Sequence, residues 1–418
     1  MRARGSNARL HGQFEAEYGV PPSANFILFP FVSSNLGSEQ GLIESDLLGQ
    51  GRNGYDPTLD VVTNDGDLVV PVDARAFGHW LTLFYGEPES TPEGAASGHI
   101  AFSAQPAAGS TITINGTAFT FRASGASGNE INKGATLADT LDEAATVLNG
   151  SAAPGVAAAT YARDGNRLTV THNTPGTAGN AFTLAAQAAS NGTVSGATLA
   201  GGTNKHVFTS GAEELPSMAI ETAHPEVPSF EMNKGVRGNV MRVELSRRGL
   251  LNATLALVAK GGAVATESAA GTPIAIDVAR FAQATGSVRK DGAQLGSVVA
   301  AALAFSNNLD KVETIQPDGE IEDADPGMAT ATGNVTVRFK DHSLLDSATG
   351  RDPIDLSYGW SFGPFSLIFT ASRVFLPKPK RPIAGPQGVQ ASFDWQGSGE
   401  DGPVLVAELV NDVESYAI

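Results

Sequence analysis

Cysteine is absent from this 418-residue chain, which removes disulfides, thiolate nucleophiles and thiolate metal sites together. Histidine is sparse: the 7 His residues are scattered, and none falls in an HExxH or HxH spacing that would aim imidazoles at one metal. No GxSxG elbow and no Walker A sequence occurs, so neither a hydrolase nucleophile nor a P-loop has its motif. No apolar run approaches the roughly 18 residues of a membrane span, and the opening MRARGSNARL lacks the apolar core of a secretion signal. A soluble protein completed in a cytoplasm is expected. Positive charge is short as well, with 27 Lys and Arg against 44 Asp and Glu and a formal charge of -17. That balance argues against a dedicated nucleic-acid binder needing a basic footprint, though not against a protein that lets nucleic acid pass without holding it.

What the chain does contain is an internal echo. Ser33, Asn35 and Leu36 are matched by Ser306, Asn308 and Leu309, each at the end of an apolar run and before a long polar loop. Gly66, Leu68, Val70 and Val72 then match Gly333, Val335, Val337 and Phe339, a period-two alternation that reads as a strand with one buried face. Outward from there, Ala8, Arg9 and Leu10 answer Ala279, Arg280 and Phe281. Ser217, Met218 and Ile220 answer Ser366, Leu367 and Phe369, and Val243 with Leu245 answers Phe393 with Trp395. Between those pairs, His224, Pro225 and Pro228 stand against Pro377, Pro379 and Pro382. The offset drops from about 270 to about 150 along the chain, so the first copy carries roughly 120 extra residues.

The extra piece is visible in composition. From residue 97 to 205 the chain turns to Ala, Gly, Thr, Ser and Asn, and its five basic residues balance its five acidic ones, so the acidic excess lies on the repeated body. Asn115-Gly116 predicts a type I′ hairpin, Asp164-Gly165 a second one, and Thr136 with Asp139 a capping box opening a helix buried through Leu137, Leu141 and Leu148. The expected organisation is therefore a discontinuous first domain over 1–96 and 206–265, an inserted ββαββ-like α+β domain over 97–205, and a second repeat domain over 266–418. Each repeat is expected to be mainly antiparallel strand with one short helix, that of the first copy capped by Asp73 and buried through Phe77, Trp80, Leu81 and Phe84.

Chemistry-bearing motifs are few. Gly49, Gly51 and Gly54 satisfy GxGxxG but are followed by Tyr55, Asp56 and Pro57 rather than a helix, so a flexible loop is expected and not a phosphate cradle. The acidic run Asp318, Glu320, Glu322, Asp323 and Asp325 lacks the EF-hand spacing and its distal Glu, which leaves a solvated or subunit-contacting loop. RVFLPKPKRP, from Arg373 to Pro382, is a basic segment held extended by its prolines, suited to a crossover loop or to contact with acidic copies of the same chain.

The runs VSSNLGSEQGLIESDLLGQGR, AIETAHPEVP, FSNNLDKVETI, DPGMATATGNVTVRF and GVQASFDWQ with VLVAELVNDV resemble the tail tube proteins of tailed bacteriophages. TITINGTAFTF and TAGNAFTLAA in the insert resemble a small accessory domain of phage tail and fibre proteins. The resemblance implies tandem tube β-sandwich domains, each with a flanking helix, assembled into stacked rings around a DNA channel. It implies a structural virion protein, non-enzymatic and without cofactor or metal, made in the host bacterial cytoplasm and ending in the phage tail. Its implied partners are copies of itself, the tape measure protein, the tail terminator and distal tail proteins, with transient passage of viral DNA and no membrane insertion. Since family rings commonly hold six tube domains, a duplicated chain implies a trimeric, pseudo-hexameric ring, with a hexamer of chains as the alternative. The implied ring-stacking loops span residues 37–65 and 310–332, giving Glu39, Glu44, Asp46, Asp318, Glu320, Glu322, Asp323 and Asp325 as stacking candidates. Arg2, Arg4, Arg9, Arg373, Lys378, Lys380 and Arg381 are the basic intersubunit candidates. The competing reading is a tail-displayed binding module whose insert adheres to cell-surface glycan.

Overall fold

A computed structural model of the chain describes residues 2–49, 51–381 and 388–418. It divides into two compact units, one made of residues 1–89, 207–409 and 416–418 and the other of Ser90–His206 with Val410–Ser415. The protein is mainly β, as expected.

The larger unit contains both repeats, and its elements are labelled in chain order. The first copy consists of β1 (Arg9–Phe14), β2 (Gly37–Ile43), β3 (Thr58–Pro71), α1 (Phe77–Tyr85), β4 (Met218–His224), β5 (Ser229–Leu245) and β6 (Asn252–Val258). The second consists of β7 (Ser287–Lys290), β8 (Val298–Ser306), β9 (Thr330–Arg338), α2 (Ser343–Gly350), β10 (Ile354–Phe362), β11 (Phe365–Phe375) and β12 (Gln390–Gly397). Antiparallel pairing runs β1–β4–β5–β6–β3–β2 in the first copy. It runs β7–β10–β11–β12–β9–β8 in the second, the same path through the same chain order. Even an irregularity repeats: the β4–β5 ladder shifts register between Met218 and Ile220, and the β10–β11 ladder between Ile354 and Leu356.

This pairing corrects several sequence equivalences. β4 corresponds to β10 and β5 to β11, so Met218 and Ile220 answer Ile354 and Leu356, not Leu367 and Phe369. Val243 and Leu245 belong to β5, whereas Phe393 and Trp395 belong to β12, the counterpart of β6. Likewise Arg9–Phe14 answers Ser287–Lys290, and residues 279–281 instead lie along the end of β3, where the Phe281 amide donates to the Val72 carbonyl. The Ser-x-Asn-Leu echo is displaced too: Ser34 faces Leu68, but Val335, the counterpart of Leu68, faces Ala301. Residues 224–229 form the β4–β5 turn, while Pro377 and Pro379 follow β11, and Pro382 lies outside the described residues. For the strand equivalences the physical reason is that many of these strands share the same inward alternation, so a period-two match cannot say which strand it has found.

The alternation does place the core. Leu303 and Phe305 of β8, Val335 and Val337 of β9 and Phe393 and Trp395 of β12 are buried on one face, each such side chain contributing about 1.5–3 kcal/mol. Gly66 and Gly333 stand at corresponding positions where strands approach closely: a Cβ on Gly66 would strike Asn35 and Leu36, and one on Gly333 would strike Ala302 and the Trp395 ring.

Helix α1 forms with its expected apolar stripe, but its N-cap is Ala76, without a side-chain cap, and Asp73 instead caps the turn that leads into it. The Asp73 carboxylate accepts from the Arg75 and Ala76 amides, both at 2.8 Å, and Phe77, Trp80, Leu81 and Phe84 are buried. On the flank of α1, the His79 ring meets Phe29 at 5.6 Å and Tyr416 at 5.0 Å edge to face. Burial pushes its imidazole down to about 4, so the folded state binds its proton less readily than the unfolded chain. The contribution of His79 to stability is therefore fully present above about pH 6.5 and is lost as pH drops toward 4, by up to about 3 kcal/mol. Denaturant melts across that window should show a slope in the parent protein that is reduced in His79→Phe, the part due to His206, whose imidazole is also pushed down by burial, remaining.

The smaller unit holds two four-stranded sheets. Its helix Leu137–Asn149 carries the expected capping box between Thr136 and Asp139. Asn115 and Gly116 adopt the positive φ values, 43° and 79°, of the predicted type I′ turn. Its ends meet, since the Ser90 hydroxyl lies 2.7 Å from His206 Nδ1, which is the geometry that lets a domain be inserted into a host loop.

Candidate assembly site

Three surfaces of the larger unit carry features that a free-standing chain does not need. The first is the distal half of the β2–β3 hairpin. The sequence leads one to expect a long polar loop over residues 37–65; instead β2 and β3 pair from Gly37 opposite Asp65 out to Ile43 opposite Thr58. Both faces of this ribbon are exposed, and Leu42, Ile43, Leu47, Leu48, Leu59 and Val61 are each at least 50% exposed. An isolated two-stranded ribbon is marginal in water, and an apolar patch of this kind marks an interaction surface. The stacking candidates Glu39, Glu44 and Asp46 sit on the same ribbon, all exposed. Selecting charged residues missed the apolar ones, although LIESDLL and LDVV were legible as apolar clusters within a supposedly polar stretch. Gly49, Gly51 and Gly54 form the ribbon tip; the next element is the extended β3, so no helix N-terminus is available to a phosphate.

The second surface is the acidic loop of the second copy. A short hairpin, Asp310–Val312 with Asp323–Asp325, anchors it. The loop folds onto the first copy: Glu320 pairs with Lys234 at 2.9 Å, Asp323 with Arg237 at 2.5 Å, and Lys311 with Asp65 at 2.7 Å. The Arg237 guanidinium also donates to the Ala324 carbonyl at 2.7 Å and lies 4.4 Å over the Tyr18 ring. Burial and the neighbouring Asp323 push the Tyr18 phenol up, keeping it neutral beneath that cation. Glu320 and Asp323 thus have cationic partners within the chain, while Asp318, Glu322 and Asp325 are exposed. Among the described residues no cluster of acids and histidines has the makings of a metal site.

The third surface comprises the sheet edges. Where the copies join, β5 pairs with β8 from Val240 opposite Ser306 to Leu245 opposite Ala301, making the two sheets continuous. Asn307 locks the junction, its buried side-chain amide donating to the carbonyls of Phe84 and Gly238 at 3.0 and 2.8 Å. The edge of β2 and the segment following β11 are the counterparts of the two strands joined here. Of the basic candidates, Arg373 is tied to Glu400 and Asp401 at 2.9 and 2.6 Å. Lys378, Lys380 and Arg381 are exposed, as are Arg2, Arg4 and Arg9, the Arg4 backbone amide being held by the Glu226 carboxylate at 2.8 Å.

No curated protein matches the chain. The family model described as phage tail tube protein matches residues 5–397, nearly the whole length. An internally duplicated β body with an exposed apolar ribbon and open sheet edges, matched by that family over almost all its residues, belongs to the phage tail tube proteins, structural components of the virion tail.

Proposed function

We propose that three chains close a ring of sixfold pseudosymmetry, and that such rings stack into the tube that conducts DNA during ejection. The observation that carries this reading is the β5–β8 ladder: it joins two equivalent units edge to edge, and each chain retains one equivalent edge of each kind. A repeat whose interface recurs head to tail closes into a ring when the rotation permits. With two repeats per chain, six repeats need three chains. The apolar ribbon and the exposed acids Asp318, Glu322 and Asp325 are the surfaces for the neighbouring ring. Its further partners are the tape measure protein in the lumen and the terminator and distal proteins at the tube ends, with assembly in the host cytoplasm.

The joined sheet supports the conduit role. Its inner face is apolar and its open face mixes polar residues with charges of both signs: Arg242, Glu244, Arg338 and Asp394 stand among Thr254, Ala302, Asn334, Thr336 and Ser392. Duplex DNA carries about one negative charge per 1.7 Å, so a basic wall would hold it, while a wall whose Arg242 and Arg338 are offset by Glu244 and Asp394 presents no basic excess. Negative-stain microscopy of the purified protein with mass measurement of single rings tests the proposal. Tubes with three chains per ring are expected; six chains per ring overturn the stoichiometry, and no tubes overturn the function.

A further inference from the structure

The seam between chains rests on the proposed ring of three chains. It joins two edges whose chemistry is unlike that of the internal junction. The internal junction is an apolar ladder in which Met241, Val243 and Leu245 face Phe305, Leu303 and Ala301, all buried. The counterpart of β8 is the β2 edge. There the Ser38 amide, instead of meeting a strand, donates to the Glu231 carboxylate at 3.0 Å, and Glu39 beside it is exposed. The counterpart of the C-terminal half of β5 is residues 376–381, LPKPKR. Its ladder with β12 ends at Phe375 opposite Gln396, and Pro377 and Pro379 bring no amide donors. Residues that precede proline are held extended, and Arg381 lies 5.0 Å over the Phe339 ring, next to the start of β12, so the segment continues along that strand. A carboxylate over an edge amide, and prolines with lysines on an edge strand, are both devices that block indiscriminate strand pairing.

We propose that Lys378, Lys380 and Arg381 of one chain meet Glu39 and Glu231 of the next, so that the seam between chains is matched by charge where the seam within the chain is matched by apolar packing. Carried across the repeat, the register of Val240 opposite Ser306 brings Lys378 to Glu39 or its immediate neighbour. The internal seam then forms with the fold and is insensitive to salt. The seam between chains forms by encounter of complementary edges and is screened by salt, whose Debye length falls from about 10 Å at 0.1 M to about 3 Å at 1 M. Each edge is protected against the wrong partner and complementary to the right one.

The test is polymerisation of the full chain, followed by light scattering and microscopy across a salt series. The parent protein should form tubes at low salt, with the assembly rate falling at least about tenfold as salt rises. The Lys378→Glu, Lys380→Glu double variant should remain unassembled at low salt with an unchanged melting profile, and adding Glu39→Lys should restore tubes. Parent-like assembly of the double variant, a salt-independent rate, or failure of Glu39→Lys to rescue would each overturn the seam while leaving the tube function standing. If the parent itself forms no tubes, the tube function fails and the seam with it.

Discussion

A Leu42→Asp, Leu59→Asp double variant will remain unassembled at concentrations where the parent chain polymerises, and its thermal melt will match the parent's. The two leucines face each other across the β2–β3 ribbon and are 65% and 66% exposed. Replacing them therefore removes nothing from the core of the free chain. In the stacked tube the same side chains would be covered by the next ring, where burying each contributes about 2 kcal/mol. Loss of both, before adding the cost of burying two carboxylates, raises the concentration needed for assembly by about 1000-fold. Sedimentation velocity across a concentration series measures the effect. Tubes at parental concentrations would remove the ribbon from the interface, and a lowered melting temperature would show that it belongs to the fold of the single chain.

The second large effect concerns the internal junction. Phe305 is fully buried on β8, opposite Met241 of β5, and stacks on Tyr85 of α1 at 4.6 Å with the rings 18° apart. It thus belongs to the second repeat but packs against the strand and helix of the first. Phe305→Ala should cost about 3–5 kcal/mol, the usual range for emptying a buried aromatic site. Because the site is shared, both repeats should melt together at the lower temperature, the smaller unit keeping its own transition. Calorimetry with fluorescence of Trp80 in the first repeat and Trp360 and Trp395 in the second distinguishes the outcomes. Separate movement of the second-repeat signal would mean that the copies fold independently and that the junction forms afterwards.

Local features were legible in the sequence because they depend on a few neighbouring residues. The apolar stripe of α1, the Thr136–Asp139 capping box, the Asn115-Gly116 turn and the strand Val298–Ser306 were all readable from adjacent side chains. The matching of strands between the repeats was not, because an inward alternation is shared by many of the strands and carries no address. Only hydrogen-bonded neighbours distinguish β10 from β11 as the partner of β4. In the segment 37–65, charge points to Glu39, Glu44 and Asp46, whereas exposure points to Leu42, Leu48 and Leu59, which only the folded ribbon shows to be uncovered.

The acidic run shows the same division. Its composition was plain, yet nothing in a linear chain says that Lys234 and Arg237, some 86 residues earlier in the case of Arg237 and Asp323, already neutralise part of it. The sequence by itself determined that the chain is a duplicated, acidic, mainly β protein interrupted by a neutral insert and resembling tail tube proteins, since repetition, charge and period-two patterning survive in one dimension. Tertiary structure alone decided which strands are equivalent, that the copies share one continuous sheet, and which edges and apolar side chains are left open. Those depend on pairing between residues far apart in the chain, and burial is a property of what surrounds a side chain rather than of the side chain itself.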